Sequence, residues 1–321
     1  SDLPLYGTRG ANGVVVITTK RPEPGRLQLT YRGVVNIEAP DFTSYNLLDA
    51  REKLEYEKLA GVYSIGNVEF DQKMKDLYNK RMLDVARGVN TYWLKYPVRT
   101  GVGHRHSLRL EGGDEAFRYA AGLSYNHVAG TMKGSDRTTI NGNVFLSYNY
   151  KNLTFQNDLQ VSNNKAKNSP YGTFSDFSQI NSYLKPYDDE GNILKYADNE
   201  TYATTKTINP LYNALLPYKN ETKYTSITDN FSIEWRILPE LTARGTFSFT
   251  SQSDRGDIYK CAKHTDFDSY TGDDYARKGS YQYTTGESFN YETNITLNYT
   301  KTFADKHQVF VGLGYNRHRY R

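Results

Sequence analysis

Apolar and strongly polar side chains alternate one for one in segment after segment of this chain, and that period restricts the fold more than any other feature. Phe117, Tyr119, Ala121, Leu123 and Tyr125 alternate with Arg118, Ala120, Gly122, Ser124 and Asn126. Ile140, Val144, Leu146 and Tyr148 alternate with Asn141, Asn143, Ser147 and Asn149. Phe231, Ile233, Trp235 and Ile237 alternate with Asn230, Ser232, Glu234 and Arg236. Phe289, Tyr291, Ile295, Leu297 and Tyr299 do so with Asn290, Glu292, Asn294, Asn298 and Thr300. A period of two is a strand with one apolar and one polar face. Weaker copies at Leu27–Ile37, His104–Glu111, Leu153–Val161, Leu241–Phe249 and Val309–Tyr315 bring the total to about nine strands.

The connections alternate in length. Tight turns are read at Gly112–Glu115, Tyr150–Asn152, Leu238–Glu240 and Ala304–Lys306. Between them run the links Glu38–Gly103, the shorter Thr131–Arg137, Asn163–Lys223 and Ser253–Gly286. Short turns at one end and long loops at the other are the habit of outer-membrane barrels. The rival all-β readings are a soluble sandwich or a β-helix, and a soluble sandwich has no reason to sort its loops in this way. One link is not β: Tyr45–Gly61 and Glu69–Gly88 read as helices. Ser44 or Asn46 is expected to cap the first, and Gly61 and Gly88 to stop each. In the second, Phe70, Met74, Leu77, Tyr78, Met82 and Val85 fall on one packing face.

Composition removes several functions. No run approaches the roughly 18 apolar residues of a membrane helix, yet a mean hydropathy of −0.74 does not count against a membrane barrel, which gives lipid only alternate strand residues. The 321 residues include 29 Tyr, 14 Phe and 2 Trp, an excess suited to a membrane–water boundary. Forty basic against 36 acidic residues leave a formal charge of +4, too balanced to indicate nucleic acid. The single cysteine, Cys261, excludes an internal disulfide framework and a Cys-rich metal site. The chain opens at Ser1 without a start methionine or signal peptide and closes just after a strand, so it is expected to be a piece of a longer polypeptide.

Candidate chemistry is sparse. His104 and His106 share one strand face, a spacing that can hold a metal, but no third ligand is placed and a polar wall is expected. Asp266, Asp268, Asp273 and Asp274 lack the order of a calcium loop and read as solvated. Asp188–Asn192, between Tyr187 and Tyr196, reads as a hairpin turn within a long loop. Cys261 has no base beside it. No Ser–His–Asp order or carboxylate pair stands out, so the chain is expected not to be an enzyme and to need neither cofactor nor metal.

The opening segment carries a resemblance. Leu5-Tyr6-Gly7-Thr8-Arg9-Gly10-Ala11-Asn12-Gly13-Val14-Val15-Val16-Ile17-Thr18-Thr19-Lys20 resembles, almost letter for letter, the end of the plug domain in SusC/RagA-type TonB-dependent transporters. Leu108–Gly113 followed by Phe117–Tyr119 resembles that family's second and third barrel strands, and Gly130–Asp136 the "G-x-x-KGSD" loop after them. Physically, Gly7, Gly10 and Gly13 suit tight turns, and Val14–Ile17 a strand buried on both faces. A phosphate loop is disfavoured, since no G-K-[ST] and no helix pattern follow.

The resemblance implies an all-β fold: part of a plugged transmembrane antiparallel β-barrel of about 22 strands, with a short helical insertion. Residues 1–25 would end the plug and 26–321 form the first part of the barrel, with the insertion at 45–88. It implies TonB-energised import of an oligosaccharide or peptide across the bacterial outer membrane, with a SusD-type surface lipoprotein as lid and TonB contacting a segment outside this chain. A homodimer of transporter–lipoprotein pairs is a further implied assembly. A siderophore or cobalamin receptor, and a surface adhesin or soluble glycan-binding protein, are the alternatives. Tyr6, Gly7, Arg9, Gly10, Asn12 and Gly13 form the plug motif. From alternation, Asn141, Asn143, Glu234, Arg236, Asn290, Glu292 and Asn294 are expected to face the lumen. Phe231, Ile233, Trp235, Leu297 and Tyr299 are expected to face lipid. Tyr171, Tyr183, Tyr187, Tyr196 and Tyr202, in the longest loop, are candidate contacts for a ligand or the lid.

Overall fold

A computed structural model describes residues 22–64, 66–199, 206–304 and 306–320; the plug motif and Tyr202 lie outside them. The strands are β1 (Gly25–Glu38), β2 (Gly101–Gly113), β3 (Phe117–Ala129), β4 (Asp136–Tyr150), β5 (Leu153–Lys167), β6 (Tyr196–Asp198), β7 (Thr207–Ile208), β8 (Tyr218–Leu238), β9 (Leu241–Lys260), β10 (Ser280–Phe303) and β11 (His307–Tyr320). All but β6 and β7 form one nine-stranded sheet in chain order, antiparallel at each pairing traced below. Each strand therefore pairs with its predecessor, the meander that sequential hairpins produce.

Register fixes the two faces. Ser124 lies opposite Asn141, Asn141 opposite Ser162, Ser162 opposite Ser226, Ser226 opposite Gln252, and Gln252 opposite Ser288, a polar row across six strands. On the other face Phe117, Tyr148, Phe155, Ile233, Gly245, Ile295 and Tyr315 make an apolar row across seven. The alternation in sequence is thus a property of the whole sheet. No described helix is long and apolar enough to cross a membrane.

The tight turns sit at one end of the sheet. Gly113, at φ 125°, shows why residue choice matters there: a Cβ would stand 2.1 Å from the Phe117 carbonyl oxygen. At the opposite end the strands are unequal. β2 and β3 have 13 residues each, whereas β8, β9 and β10 have 21, 20 and 24. The expected links Asn163–Lys223 and Ser253–Gly286 are accordingly too long, because paired strand continues to Lys167, from Tyr218, to Lys260 and from Ser280.

The helices form as α1 (Ala50–Leu59) and α2 (Val68–Ala86). The cap of α1 is Asp49, not Ser44 or Asn46: its carboxylate accepts from the Glu52 amide while Glu52 accepts from the Asp49 amide, a reciprocal box that fixes the start. Asn67 caps α2, and Gly61 and Gly88 take positive φ just beyond each helix.

Candidate functional site

The polar face is concave. Side chains from β2 across to β9, among them Arg105, Arg109, Asn141, Asn143, Asp158, Gln160 and Gln252, line one cavity of about 840 Å³, so the sheet curls toward this side. Nearer the tight turns, Arg118, Gln156, Glu234, Arg236 and Arg244 line a second of about 210 Å³. Asn290, Glu292 and Asn294 lie on the same face of β10, opposite Thr250, Ser248 and Thr246. Charges are mixed and locally matched: Arg109 pairs with Glu111 at 2.8 Å, Arg236 approaches Glu234 at 3.8 Å, and Asn316 Nδ2 donates to Glu292 Oε1 at 3.0 Å. Pro22 lines both cavities, so the chain reaches β1 from the polar side. Hydroxyl, amide, guanidinium and carboxylate groups in one curved wall can hydrogen-bond a polar solute without selecting one charge.

At the long-loop end the links fuse into a cap with its own core. Ala50, Leu54, Tyr63, Trp93 and Leu94 from the first link pack on Phe177, Tyr183, Leu184 and Leu211 from the second, where α3 (Phe174–Ser178) and α4 (Pro210–Ala214) lie. Met74, Tyr78, Met82 and Val85 of α2 pack against this cluster, as the one-sided stripe predicts. A polar network crosses it. The Tyr63 hydroxyl donates to Glu57 Oε2 at 2.7 Å and Tyr183 to Oε1 at 3.0 Å. Arg81 Nη1 donates to the Tyr63 oxygen at 3.0 Å, its guanidinium lies over the Tyr183 ring, and its Nη2 reaches Asp198 at 2.5 Å. Burial and the bond to Glu57 push the Tyr63 phenol up to about 12, and burial raises Tyr183 as well.

The third long link joins the same cap. Lys195 and Tyr196 both donate to Asp268, and Asn213 Nδ2 donates to Thr265 Oγ1 at 2.7 Å. The turn after β3 is a staple: Lys133 Nζ donates to the Tyr96 carbonyl at 2.6 Å, and the Lys133 carbonyl accepts from Ser169 Oγ at 2.7 Å. Between cap and strand ends, Tyr171, Asn213, Tyr218, Lys260, His264 and Asp266 contribute to a cleft of about 580 Å³.

No family model matches the chain. Among curated proteins it is 23% identical over 324 residues to a TonB-dependent receptor of Formosa agariphila, covering 98% of this chain and 28% of that receptor. It is 25% identical over 171 residues to the TonB-dependent receptor SusC of Bacteroides thetaiotaomicron, covering 52% of this chain and 15% of SusC. Among solved structures it resembles the RagAB peptide transporter, with a TM-score of 0.74, 16% identity and coverage of 99% of this chain and 38% of that one. An "open-open" state of the RagAB peptide importer gives a TM-score of 0.75 at 17% identity, with 99% of this chain and 37% of that chain covered. The chain is thus similar to TonB-dependent receptors, SusC among them, and shares the fold of the RagAB transporter over nearly its whole length. It spans little more than a quarter of the longer curated match.

The loop tyrosines separate. Tyr183 is 5% exposed with its hydroxyl bound to Glu57, so it holds the cap together and is corrected from surface contact to core. Tyr171 packs on the core and also lines the cleft. Tyr196 is tied to Asp268, which pushes its phenol up to about 12. Tyr187 is 39% exposed, beside the turn that Asp188 closes by accepting from the Asn192 amide at 2.7 Å. Three acidic residues of the third link meet cations, Asp266 with Lys260, Asp268 with Lys195 and Asp274 with Arg277. Among the described residues no group of three His, Cys, Asp or Glu is spaced to hold a metal ion.

His104 and His106 are a correction. Arg105 and Arg109 take the polar face of β2, so the histidines fall on the apolar face beside Tyr31, Tyr125 and His127. Sequence reasoning missed Asn157 and Asp229 altogether. They share the apolar face, where Asn157 Nδ2 donates to Asp229 Oδ1 at 2.5 Å. The interruption of an otherwise apolar series by Asp229, between Ile227 and Phe231, was the available signal.

Proposed function

We propose that this chain is the first part of the barrel wall of an outer-membrane importer that takes up an oligosaccharide or peptide, energised by TonB. The observation that carries the reading is the division of one sheet into a mainly apolar face, with an apolar row across seven strands, and a concave polar face. The apolar face is the lipid boundary and the polar face the lumen, so Asn141, Asn143, Glu234, Arg236, Asn290, Glu292 and Asn294 line the solute path. Residues 1–25 end the plug, and Pro22 on the polar side supports a plug seated inside the wall. The tight turns are periplasmic and the cap extracellular. The SusD-type lipoprotein rests on the cap, against Tyr187 and the cleft that Tyr171 lines, since binding concentrates where loops stand on a rigid scaffold.

The test is uptake by cells carrying the full-length transporter, using labelled oligosaccharides and labelled peptides, with and without collapse of the proton-motive force. Energy-dependent accumulation of one class, lost on deletion of the transporter, is expected, together with copurification of a surface lipoprotein. Accumulation indifferent to the proton-motive force would sink the TonB-energised reading, and uptake of iron chelates alone would favour a siderophore receptor.

A further inference from the structure

Resting on the outer-membrane reading, we propose that the apolar side of β5, β8 and β9 carries a binding site for a phosphate-bearing lipid of the surrounding outer leaflet. Three cations stand directly opposite one another in adjacent strands: Lys165 faces Lys223, and Lys223 faces Arg255. Like charges in direct cross-strand register repel and destabilise a sheet. Two of the three are offset by acids one row further out, Lys165 by Glu221 at 3.4 Å and Arg255 by Asp257 at 3.1 Å. Lys223 is exposed and, among the described residues, has no acidic partner within 4 Å. The row concentrates positive charge on an exposed face, and an anion bound between the three heads would relieve the repulsion.

The height of the row identifies that anion. The three cations share a face with the apolar series, as parity along each strand requires. Val161 and Ile227 lie four residues nearer the tight turns than Lys165 and Lys223, about 13 Å along the strand. Strand tilt reduces this to roughly 10 Å along the membrane normal, just beyond the roughly 5–8 Å headgroup layer on each side of a bilayer. Between lies a row of neutral hydrogen-bonding groups, where Asn163 Nδ2 donates to Thr225 Oγ1 at 2.9 Å beside Ser253. Long basic side chains bend back toward such a layer readily. Below it the apolar face is grooved: Leu108, Leu123, Gly142, Leu159 and Val161 border a depression of about 330 Å³ at the absent side chain of Gly142. β5 joins the two parts, carrying Leu159 and Val161 in the groove and Lys165 in the cation row. Acyl chain in the groove and phosphate at the cations is the order a membrane lipid presents.

The experiment uses the full-length transporter reconstituted into vesicles of phosphatidylcholine with a minor fraction of phosphatidylglycerol, then extracted gently for native mass spectrometry. Retained phosphatidylglycerol should fall about fivefold in Lys223→Gln, the factor one basic group contributes near an anionic surface, and further in Lys165→Gln/Lys223→Gln/Arg255→Gln. Arg118→Gln, on the polar face, should retain the wild-type amount. In lipid-free detergent Lys223→Gln should melt no lower than wild type, because it removes like-charge repulsion without taking a partner from Glu221 or Asp257. Equal retention by wild type and triple variant overturns the proposal, as does complete displacement by millimolar inorganic phosphate, which would make this a free-anion site. Insertion of the wild type into vesicles with no preference for the anionic lipid overturns the lipid site alone. Failure of the wild type to insert overturns the outer-membrane reading as well.

Discussion

Tyr63 and Tyr183 hold their protons against one carboxylate, and that sets the alkaline limit of the cap. Both phenols are raised by burial, and Tyr63 also by its bond to Glu57, to about 12. A folded value raised above the unfolded one contributes stability that is full below about pH 10 and is lost as pH rises through the folded value, because over that window the unfolded chain releases a proton that the folded one retains. Hydrogen exchange in α1 and α2 should therefore accelerate between about pH 10 and 12 beyond its intrinsic rate, and ultraviolet titration of Tyr63→Phe should lose one late-ionising phenol. No sequence pattern announced this network, because Glu57, Arg81 and Tyr183 lie on segments joined only by tertiary packing. Asn157 and Asp229 give a second residue-scale prediction. Asn157→Leu leaves a carboxylate on an apolar face without its donor and should cost about 1–3 kcal/mol. Asn157→Leu/Asp229→Leu removes both polar groups and should restore or exceed wild-type stability. Urea unfolding of the reconstituted protein distinguishes these signs; equal loss in both variants would mean the face is not lipid-exposed.

Elements were legible where solvent and lipid competed for opposite faces. Ile233 and Ser232 show the contrast, since one joins the apolar row and the other lies opposite Thr246 on the polar face. Ile233→Arg, near the bilayer midplane, should cost about 2–4 kcal/mol, whereas Ser232→Asn should cost little; urea titration of each in phospholipid vesicles is the measurement. Beyond the proposed membrane the same logic explains what sequence reasoning lost. There both faces of β8, β9 and β10 meet water, alternation fades into Thr, Ser, Lys and Tyr, and the paired strand from Asp254 to Lys260 read as loop. The first helix began later than expected for a different reason: several residues before it can cap, and only Asp49 has Glu52 in the reciprocal position. The cap core and the cleft were not legible, since each is made by contacts between separate links, as with Trp93 Nε1 donating to the Asn181 carbonyl at 3.0 Å in the core and Asn213 Nδ2 donating to Thr265 Oγ1 at 2.7 Å beside the cleft.

For the whole molecule, sidedness decides what a partner can touch. An epitope inserted at Gly191, in the cap turn, should be reached by antibody on intact cells, and one at Asn152, between β4 and β5, only after permeabilisation. Surface labelling of the Asn152 tag alone would invert the assignment and detach the lipoprotein from the cap. The strand lengths carry one more consequence. β10 has eleven residues more than β2 or β3, about 35 Å of additional wall, while above the short strands the height is made up by helices packed on loops. β9 is bonded to β8 on one side and β10 on the other along its upper length and cannot yield without unzipping both, whereas the helices are held by side-chain packing on loops. The two flanks of the rim therefore hold unequally: amides of 252–259, paired on both sides, should exchange as slowly as those in the middle of the sheet, and those of 50–86 orders of magnitude sooner.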